Sequence, residues 1–304
     1  MMTQELVYNA ESKERLDKYL TAELHDCSRT QIQKLIKGGK ILVNGSAPTP
    51  HHFLKKGDRI VIEQNGPAVA RPARPPLAPE IIEQTEDYLV INKPAGLIVH
   101  PAPGVLGPTL ADWLKENFPQ VKKVGENSDR PGIVHRLDKD VSGVMVVALT
   151  PSMFASLKEQ FQSHTVFKEY LTLVHGAVLS EEAVIDFPLQ RSKLSGKIVA
   201  RARGAEGKES ITFLVVSQRF SRYTYLKVAI QTGRTHQIRS HMQAYGHPIV
   251  GDSLYQNKKI KDNSGLKRLF LHAHLLRFQD LSGQSRAFRA SLPLELKDFL
   301  DTLS

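Results

Sequence analysis

Apolar residues recur with two different periods along the first 64 residues, and each period predicts one kind of element. Spacing of three or four positions over 15–24 and again over 32–36 predicts two short amphipathic helices, the second with Ser28 as its N-cap. The run KILVNG then predicts a strand that ends in an Asn-Gly turn, and residues 54–62 predict a loop and a return strand. The amino-terminal segment therefore forms a small unit of helices and strands.

A longer region begins at residue 80 and mixes the same two periods. Apolar or alternating runs predict strands at 89–92, 144–149, 169–178 and 223–231. In the last of these, Leu226, Val228 and Ile230 alternate with their neighbours, so one face of that strand is buried.

Helices are predicted between these strands, each from its own signal. Thr109 opens one, with Asp112 in the capping-box position, and another follows Pro151. Thr235 is the expected cap of a third. The tail ends on an amphipathic helix whose inward residues are Leu296, Phe299, Leu300 and Leu303. This mixture predicts an α+β fold with a largely antiparallel sheet.

A change of composition separates the two regions. Residues 65–79 read NGPAVARPARPPLAP, with five prolines, two arginines and no acidic residue. Because proline fixes φ and restricts the residue before it, this stretch predicts an extended basic linker. The chain therefore divides into a small domain at 13–64, a linker at 65–79 and a large domain at 80–304.

The charge balance points to a polyanionic partner. Lys and Arg total 41 against 31 Asp and Glu, which gives a formal net charge of +10. Such an excess attracts nucleic acid, although a basic soluble protein without that partner has the same composition. In the small domain, a basic face is expected on the second helix and its end, formed by Arg29, Lys34, Lys37 and Lys40.

A further basic run lies between residues 191 and 208. It holds six Lys or Arg residues against Glu206 alone, and three glycines make it pliable. We predict a mobile segment that contacts a nucleic-acid backbone, and a solvated loop explains the same composition.

Several classes of chemistry lack their motifs. No GxGxxG follows a strand, no P-loop is complete, and no carboxylate or cysteine cluster joins the 12 histidines in a metal set. The one cysteine, Cys27, excludes an intramolecular disulfide, and no apolar run is long enough for a bilayer or a signal peptide. We expect a cytoplasmic monomer with no metal, nucleotide or other cofactor and no membrane partner.

The densest polar cluster is RPGIVHRLDKDVSGV, residues 130–144. Five ionisable residues fall within six positions beside an apolar strand: His135, Arg136, Asp138, Lys139 and Asp140. If the segment is extended, Leu137 faces the core while Arg136 and Asp138 project together. This pattern is typical of an active site, and an ion-pair network that holds the loop explains it equally well.

A second cluster, QTGRTHQIRSH, runs from a strand through a glycine turn into the start of a helix. A guanidinium at Arg239, just after the apolar Ile238, could pair with a carboxylate and keep it ionised. The alternative is phosphate binding at a helix N-terminus, which also indicates a nucleic-acid ligand. The other polar side chains of the cluster include Arg234, His236 and His241.

These motifs resemble two known families. RLDKYL, SRTQIQKLIKGGKILVNG and KKGDRIVI resemble the αL RNA-binding domain of the ribosomal protein S-four type, over nearly the whole small domain. HRLDKDVSG, KEYLTLVHG, TGRTHQIRSH, HPIVGDSLY and LHAHLLRF, in this order, resemble RluA-type pseudouridine synthases of the RluD-like branch. The resemblance implies an isomerase that converts uridine to pseudouridine in structured RNA, with large-subunit ribosomal RNA ranked above transfer RNA.

The resemblance also implies roles for matching residues. Asp138 would be the catalytic aspartate, Arg136 the side chain that fills the stack when the base leaves it, and Tyr170 the aromatic residue against the uracil. Arg239, preceded by Ile238, would pair with the aspartate. The remaining candidates for substrate binding are His135, Arg234 and His236.

Three questions stay open at this point. Val141 stands where the family commonly has Thr, which removes a hydroxyl near Asp138. One carboxylate suffices for an isomerisation that incorporates no water, whether it attacks the sugar carbon or takes a sugar proton to give a glycal. The competing classes are an idle RNA-binding or ribosome-assembly protein and a hydrolytic nucleosidase with Asp140 as its second carboxylate.

Overall fold

The computed structural model of the chain describes residues 2–24, 29–64, 77–101, 107–192, 194–256, 260, 262 and 264–303. Cys27, the predicted cap Ser28 and most of the predicted linker lie outside the described residues. The chain divides into two compact units, Met1–Pro76 with Ala102–Gly107 and Leu77–Pro101 with Pro108–Ser304. Each unit is described by itself.

The described residues of the first unit form helices α1 (Leu16–Glu23) and α2 (Arg29–Lys37) and strands β1 (Met2–Val7), β2 (Glu14–Arg15), β3 (Ile41–Val43), β4 (Phe53–Leu54) and β5 (Arg59–Gln64). Both predicted helices, the predicted strand and its return strand are present. The antiparallel order β1-β5-β3 makes one sheet, and β2 pairs with β4. Strand β1, which pairs with β5 along its whole length, lies before residue 13, where the domain was predicted to begin.

The core of the first unit forms where the apolar stripes of its helices meet the sheet. Leu16 and Leu20 of α1 are buried, as are Ile32 and Ile36 of α2 and Ile60 of β5. The helical spacing read from the sequence thus marks the inner faces of both helices.

The strands of the second unit, within its described residues, are β6 (Glu80–Gln84), β7 (Tyr88–Lys93), β8 (Ser142–Ala148), β9 (Phe167–His175), β10 (Glu182–Ile185), β11 (Leu189–Arg191), β12 (Ile198–Ala200), β13 (Thr212–Arg219), β14 (Tyr223–Ile230), β15 (Leu271–Gln279) and β16 (Ser285–Arg289). Nine of them form one sheet in the order β10-β13-β14-β9-β15-β8-β7-β6, with β16 on β15. Its pairs are antiparallel except β8 with β15. The predicted α+β fold with a largely antiparallel sheet is confirmed.

The helices of this unit, in the part of the chain described, are α3 (Leu110–Asn117), α4 (Pro151–Gln162), α5 (Gln237–Ala244) and α6 (Leu294–Asp301), with a short 3-10 helix at Pro119–Lys123. Thr109 caps α3 through the predicted capping box with Asp112. The prediction of Thr235 as the cap of α5 is wrong. The N-cap is His236, whose φ of 54° is left-handed and whose side chain makes no capping hydrogen bond.

The basic run at 191–208 contains a hairpin that the sequence analysis missed. Strands β11 and β12 pair antiparallel. After β12, Arg201 donates to Gln190 Oε1 at 3.1 Å, and Arg203 pairs with Asp186 at 2.6 Å. The segment predicted to be mobile is therefore anchored to its own unit by paired strands and side chains.

Three elements bring the polar motifs of the sequence together. The loop at 130–141 leads into β8, which is buried along its whole length. Gly143 in β8 has a φ of 126°, and a Cβ there would overlap the backbone of Ala273 in β15, so glycine permits the close approach of the two strands. Neighbouring β9 carries Tyr170, and α5 carries Arg239.

Candidate active site

A cleft of about 650 Å³ opens in the second unit where the loop at 130–141, β9 and α5 meet. It is lined by every residue that the sequence analysis assigned to catalysis or substrate binding in this domain: His135, Arg136, Asp138, Tyr170, Arg234, His236, Ile238 and Arg239. The fold therefore gathers the two polar clusters of the sequence into one site.

Asp138 projects into this cleft from a turn. The amide of Val141 donates to the carbonyl of Asp138 at 3.2 Å, and the carboxylate is 17% exposed. Leu137 is buried, as expected. The expected alternation does not continue to Asp140, because the chain turns there; Asp140 is exposed and does not line the cleft.

Arg239 connects two carboxylates. It donates from Nε and Nη2 to Asp252 at 2.8 and 2.9 Å, and from Nη1 to Asp138 Oδ2 at 3.2 Å. Burial would lower the pKa of the guanidinium, but the hydrogen bonds and charges of Asp252 and Asp138 outweigh burial and raise that pKa. The predicted pairing with Asp138 is present, and the bidentate partner is a second aspartate.

Asp252 was missed as a site residue, although HPIVGDSLY was recognised as a motif. Its side chain is fully buried, and it also accepts hydrogen bonds from the amides of Leu254 and Tyr255 at 2.8 and 2.9 Å. Burial would raise the pKa of this carboxyl, but Arg239 and these amides hold the pKa below its ordinary value. A fixed anion thus orients the guanidinium that faces Asp138.

His236 approaches Asp138 from the same side as Arg239. Its Nε2 lies 3.6 Å from Asp138 Oδ2, and its Nδ1 lies 3.0 Å from the hydroxyl of Tyr255. Burial lowers the pKa of the imidazole, and the charge of Asp138 opposes that shift. The left-handed backbone at His236 sets this position, since the residue directly precedes α5.

Tyr170 lines the cleft from β9 and is 9% exposed. Burial, together with the nearby charge of Asp138, raises the pKa of the phenol far above its ordinary value. The hydroxyl therefore remains protonated at physiological pH, and the ring offers an apolar face to a base.

Arg136 is exposed at the cleft and contacts a histidine that the sequence analysis missed. Its Nη1 lies 3.0 Å from His100 Nε2, while His100 Nδ1 lies 3.0 Å from the carbonyl of Pro101. Burial lowers the pKa of His100, so its ring is neutral near pH 7 and can accept from the guanidinium. Among the described residues, this contact with His100 is the one hydrogen bond of the Arg136 side chain.

His135 lines another part of the cleft, where its ring stacks on Phe161 at 4.5 Å between centroids. The amide of Val146 donates to its Nε2 at 3.1 Å. Burial, and secondarily the charge of Lys168, lower the pKa of His135 to about 3. The ring is therefore neutral at physiological pH.

The remaining predicted residues border the cleft. Ile238 is buried beside Arg239, and Arg234 donates from Nε to the carbonyl of Glu209 at 3.1 Å. Val141, the departure from the family pattern, is buried and lines the cleft with an apolar surface.

In the first unit, the predicted basic face comprises residues of α2 and Lys40, three positions after the helix ends. Lys34 and Lys37 are exposed. Arg29 pairs with the buried Asp17 at 3.0 Å, and Lys40 pairs with Glu63 at 3.1 Å. Two of the four charges are thus free of acidic partners among the described residues, and Arg29 is held in a fixed position.

Neither a metal-binding cluster nor a membrane-spanning helix occurs in the part of the chain that the structure describes. No group of three or more His, Cys, Asp or Glu side chains there could hold a metal ion. No helix among the same residues is both long and apolar enough to cross a membrane.

Comparisons with known proteins agree with this geometry. The sequence profile described as RNA pseudouridylate synthase matches residues 87–244, and the S4 domain profile matches residues 14–60. An uncharacterized RNA pseudouridine synthase of Bacillus subtilis is 36% identical over 294 residues, which cover 96% of this chain and 95% of that protein. The ribosomal large subunit pseudouridine synthase C of Haemophilus influenzae is 34% identical over 306 residues, covering 96% and 92%.

A solved structure supports the same assignment. Human RNA pseudouridylate synthase domain containing 1 aligns with a TM-score of 0.60 and 26% identity, covering 73% of this chain and 88% of that one. The fold and cleft thus define an RNA-acting enzyme with a separate RNA-binding domain. The chain belongs to the RNA pseudouridylate synthase family, which isomerises uridine to pseudouridine. The resemblances found in the sequence are confirmed.

Proposed function

We propose that this protein isomerises uridines of large-subunit ribosomal RNA in the cytoplasm, as a monomer and without a cofactor, with Asp138 as the catalytic carboxylate. The observation that carries the proposal is the asymmetric environment of that carboxylate. Oδ2 faces Arg239 Nη1 at 3.2 Å and His236 Nε2 at 3.6 Å. Oδ1 makes no hydrogen bond with any described residue, so it is the oxygen available to a substrate.

The support around Asp138 suits a group that must act from a fixed position. Arg239 is held by the buried Asp252, and His236 by Tyr255, so both neighbours of Oδ2 are oriented by residues behind them. Preorganised charges of this kind need no reorientation during the reaction.

The chemistry requires the target base to leave its stack, at a cost of roughly a few kcal/mol. Asp138 then attacks C1′ of the ribose or takes a proton from C2′. In either case the bond between C1′ and N1 breaks, the uracil turns, and C5 joins C1′. The ring of Tyr170 provides a surface against which the uracil stacks, and Arg136 is long enough to occupy the vacated place in the RNA.

Two competing functions have less support. A hydrolytic nucleosidase needs a second carboxylate to activate water. Asp140 lies outside the cleft lining, and Glu126, the other acidic residue that lines it, pairs with Lys158. An idle RNA-binding protein needs no carboxylate in its cleft, because phosphates repel one.

The choice of ribosomal RNA rests on relatives and on the first unit. The Haemophilus influenzae relative is named as a large-subunit enzyme. The S4 domain matches residues 14–60, and the net charge of +10 favours a large polyanion. Transfer RNA is the second candidate substrate.

The proposal is tested by mapping pseudouridines in ribosomal and transfer RNA from cells with and without this protein. We expect specific positions in large-subunit ribosomal RNA to revert to uridine in its absence, and to be restored by the parent protein but not by Asp138→Asn. Purified protein should form them without change in RNA mass, since hydrolysis would lose a base. Loss of pseudouridines from transfer RNA alone would contradict the proposed substrate. Release of a free base would contradict the proposed reaction.

A further inference from the structure

One wall of the cleft holds a buried lysine that pairs with no acid among the described residues. Lys168 lies on β9 two residues before Tyr170, so both side chains project from the same face of the strand. Lys168 is only 7% exposed. Its Nζ donates to the carbonyl of Gln231 at 3.2 Å and lies 5.8 Å from the ring centre of Phe161.

This arrangement leaves a charge in the cleft without full compensation. Burial lowers the pKa of Lys168 to about 8, and no acid in the described ranges opposes that shift. An ammonium has three donors, and the carbonyl of Gln231 is its one hydrogen-bond acceptor among the described residues, so two N–H groups are available to a ligand. Buried lysines are rare unless they are paired, so one kept unpaired beside Tyr170 indicates a ligand that is, or becomes, anionic.

A second donor lies in the same wall. The amide of Val146 can only donate, so His135 Nε2 must be the acceptor and the neutral ring carries its proton on Nδ1. That N–H makes no hydrogen bond within the described part of the chain. Both groups lie near the ring of Phe161, which stacks on the imidazole at 4.5 Å and has the ammonium 5.8 Å from its centre, so the wall presents two donors beside one aromatic ring.

We propose that Lys168 contacts a carbonyl oxygen of the target uracil and neutralises the charge that the base acquires as it leaves the ribose, with His135 as a second donor. The proposal rests on the proposed function, because it places Asp138 at the sugar and Lys168 at the base in one cleft. Tyr170, two residues after Lys168 on β9, would hold the plane of the ring.

The charge follows from the reaction itself. When the bond from C1′ to N1 breaks, both of its electrons stay on the uracil and spread over N1, O2 and O4. The uracil anion uses this pair when C5 bonds to C1′, which releases Asp138 from its sugar ester or returns the C2′ proton from it. C5 then loses its proton to solvent and N1 gains one. Lys168 remains an ammonium throughout, and stabilises the anion without transferring a proton.

The test compares two leaving groups. Large-subunit ribosomal RNA is transcribed with UTP or with 5-fluoro-UTP, whose fluorine already stabilises negative charge on the base. Single-turnover rates are followed as loss of uridine to pseudouridine or as loss of 5-fluorouridine in nuclease digests. We expect Lys168→Met to slow the uridine reaction by about 100-fold and the 5-fluorouridine reaction by less than about tenfold. Lys168→Arg, which keeps the charge, should recover part of the rate.

Lys227→Met is the matched control, since Lys227 is an exposed lysine on the neighbouring strand β14 and its removal changes the net charge equally. Equal losses on both RNAs in Lys168→Met would overturn the proposal, because a merely structural lysine cannot distinguish the leaving groups. Unchanged rates in that variant would overturn it as well. RNA affinity and thermal midpoint are measured alongside, and retained 5-fluorouridine activity shows that the variant is folded.

The failure of this proposal is distinguishable from that of the proposed function. If Asp138→Asn is inactive while Lys168→Met behaves like the parent protein, only the role of Lys168 is wrong. If Asp138→Asn turns over both RNAs at the parent rate, the catalytic assignment itself is wrong, and the role of Lys168 is overturned with it.

Discussion

The two ends of the cleft hold their charges in opposite ways. Around Asp138, cation and anions are paired within the protein, through Arg239 and the buried Asp252. Around Lys168, the positive charge has a carbonyl and an aromatic ring but no acid in the described residues. At the paired end, hydrogen-bonded opposite charges offset much of the cost of burial and fix the geometry. The unpaired end is destabilising in the free protein and becomes favourable only when a ligand supplies the missing charge.

The largest expected effect comes from breaking the paired end. Asp252→Asn leaves the buried guanidinium of Arg239 without its bidentate partner, so we expect the free energy of unfolding to fall by about 3 to 5 kcal/mol, with severe loss of activity. Urea unfolding and single-turnover assays measure both.

The double variant Arg239→Met, Asp252→Leu separates charge from packing. Replacing a buried ion pair with apolar groups often restores stability, so most of the unfolding free energy should return. Activity should not, because Asp138 has lost the guanidinium at Oδ2. An active double variant would show that the paired end serves stability alone.

Removing the charge of Lys168 should stabilise the folded protein, whereas Asp252→Asn should destabilise it. Lys168→Met deletes an ammonium whose burial is unfavourable, and we expect the free energy of unfolding at pH 7 to rise by about 1 to 3 kcal/mol. The control Lys227→Met should stay within about 0.5 kcal/mol of the parent protein. Chemical denaturation at several pH values tests both.

The pH dependence of this gain follows from the pKa of Lys168, which is about 8 in the folded protein and ordinarily 10.5. Below pH 8 the lysine is charged in both states, so burial destabilises the folded one fully. Between pH 8 and 10.5 the unfolded chain binds more protons, and the parent protein regains stability relative to the variant. An advantage of Lys168→Met that grows over this range would contradict the account.

The smallest effect is expected in the basic hairpin region. Replacing Arg201 and Arg203 with Gln should weaken binding to all RNAs alike and reduce the salt slope by about 0.7 to 0.9 for each phosphate that is no longer neutralised. Arg203 already pairs with Asp186, so its share should be the smaller. Filter binding across salt concentrations measures this, and an unchanged affinity at low salt would place the segment outside the interface.

Helices and strands were predicted correctly where neighbouring residues carried a clear signal, such as a capping box or a regular spacing of apolar positions. The capping box at Thr109, the fully buried β8 and the inward face of α6 were readable from side chains alone. Strand β1 was not, because Met2–Val7 carries polar residues and its pairing depends on β5, some 50 residues later in the chain. The predicted cap of α5 was also wrong, since the N-cap is His236, which has a left-handed backbone and makes no capping side-chain hydrogen bond.

In the candidate site, too, residues whose role depends on distant parts of the chain could not be predicted from the sequence. The residues alone indicated that a guanidinium at Arg239 could pair with a carboxylate, and the resemblance to the family implied that this carboxylate is Asp138. Asp252 and His100 carry no such local signal; their roles depend on which groups the fold places opposite them. Lys168 begins the motif KEYLTLVHG, but no role was predicted for it, because a lysine in a strand is ordinarily exposed and only its burial without an acid makes it unusual.

The proposed function requires that Asp138 carries the chemistry. Asp138→Asn keeps the shape of the side chain but removes the charge needed to attack the sugar or take its proton. The most direct measurement is tritium release from RNA labelled at uracil C5, which reports formation of the new carbon bond. We expect no release above background, with RNA affinity retained because lysines and arginines supply most of it. Multiple-turnover release within a few-fold of the parent protein would contradict the assignment.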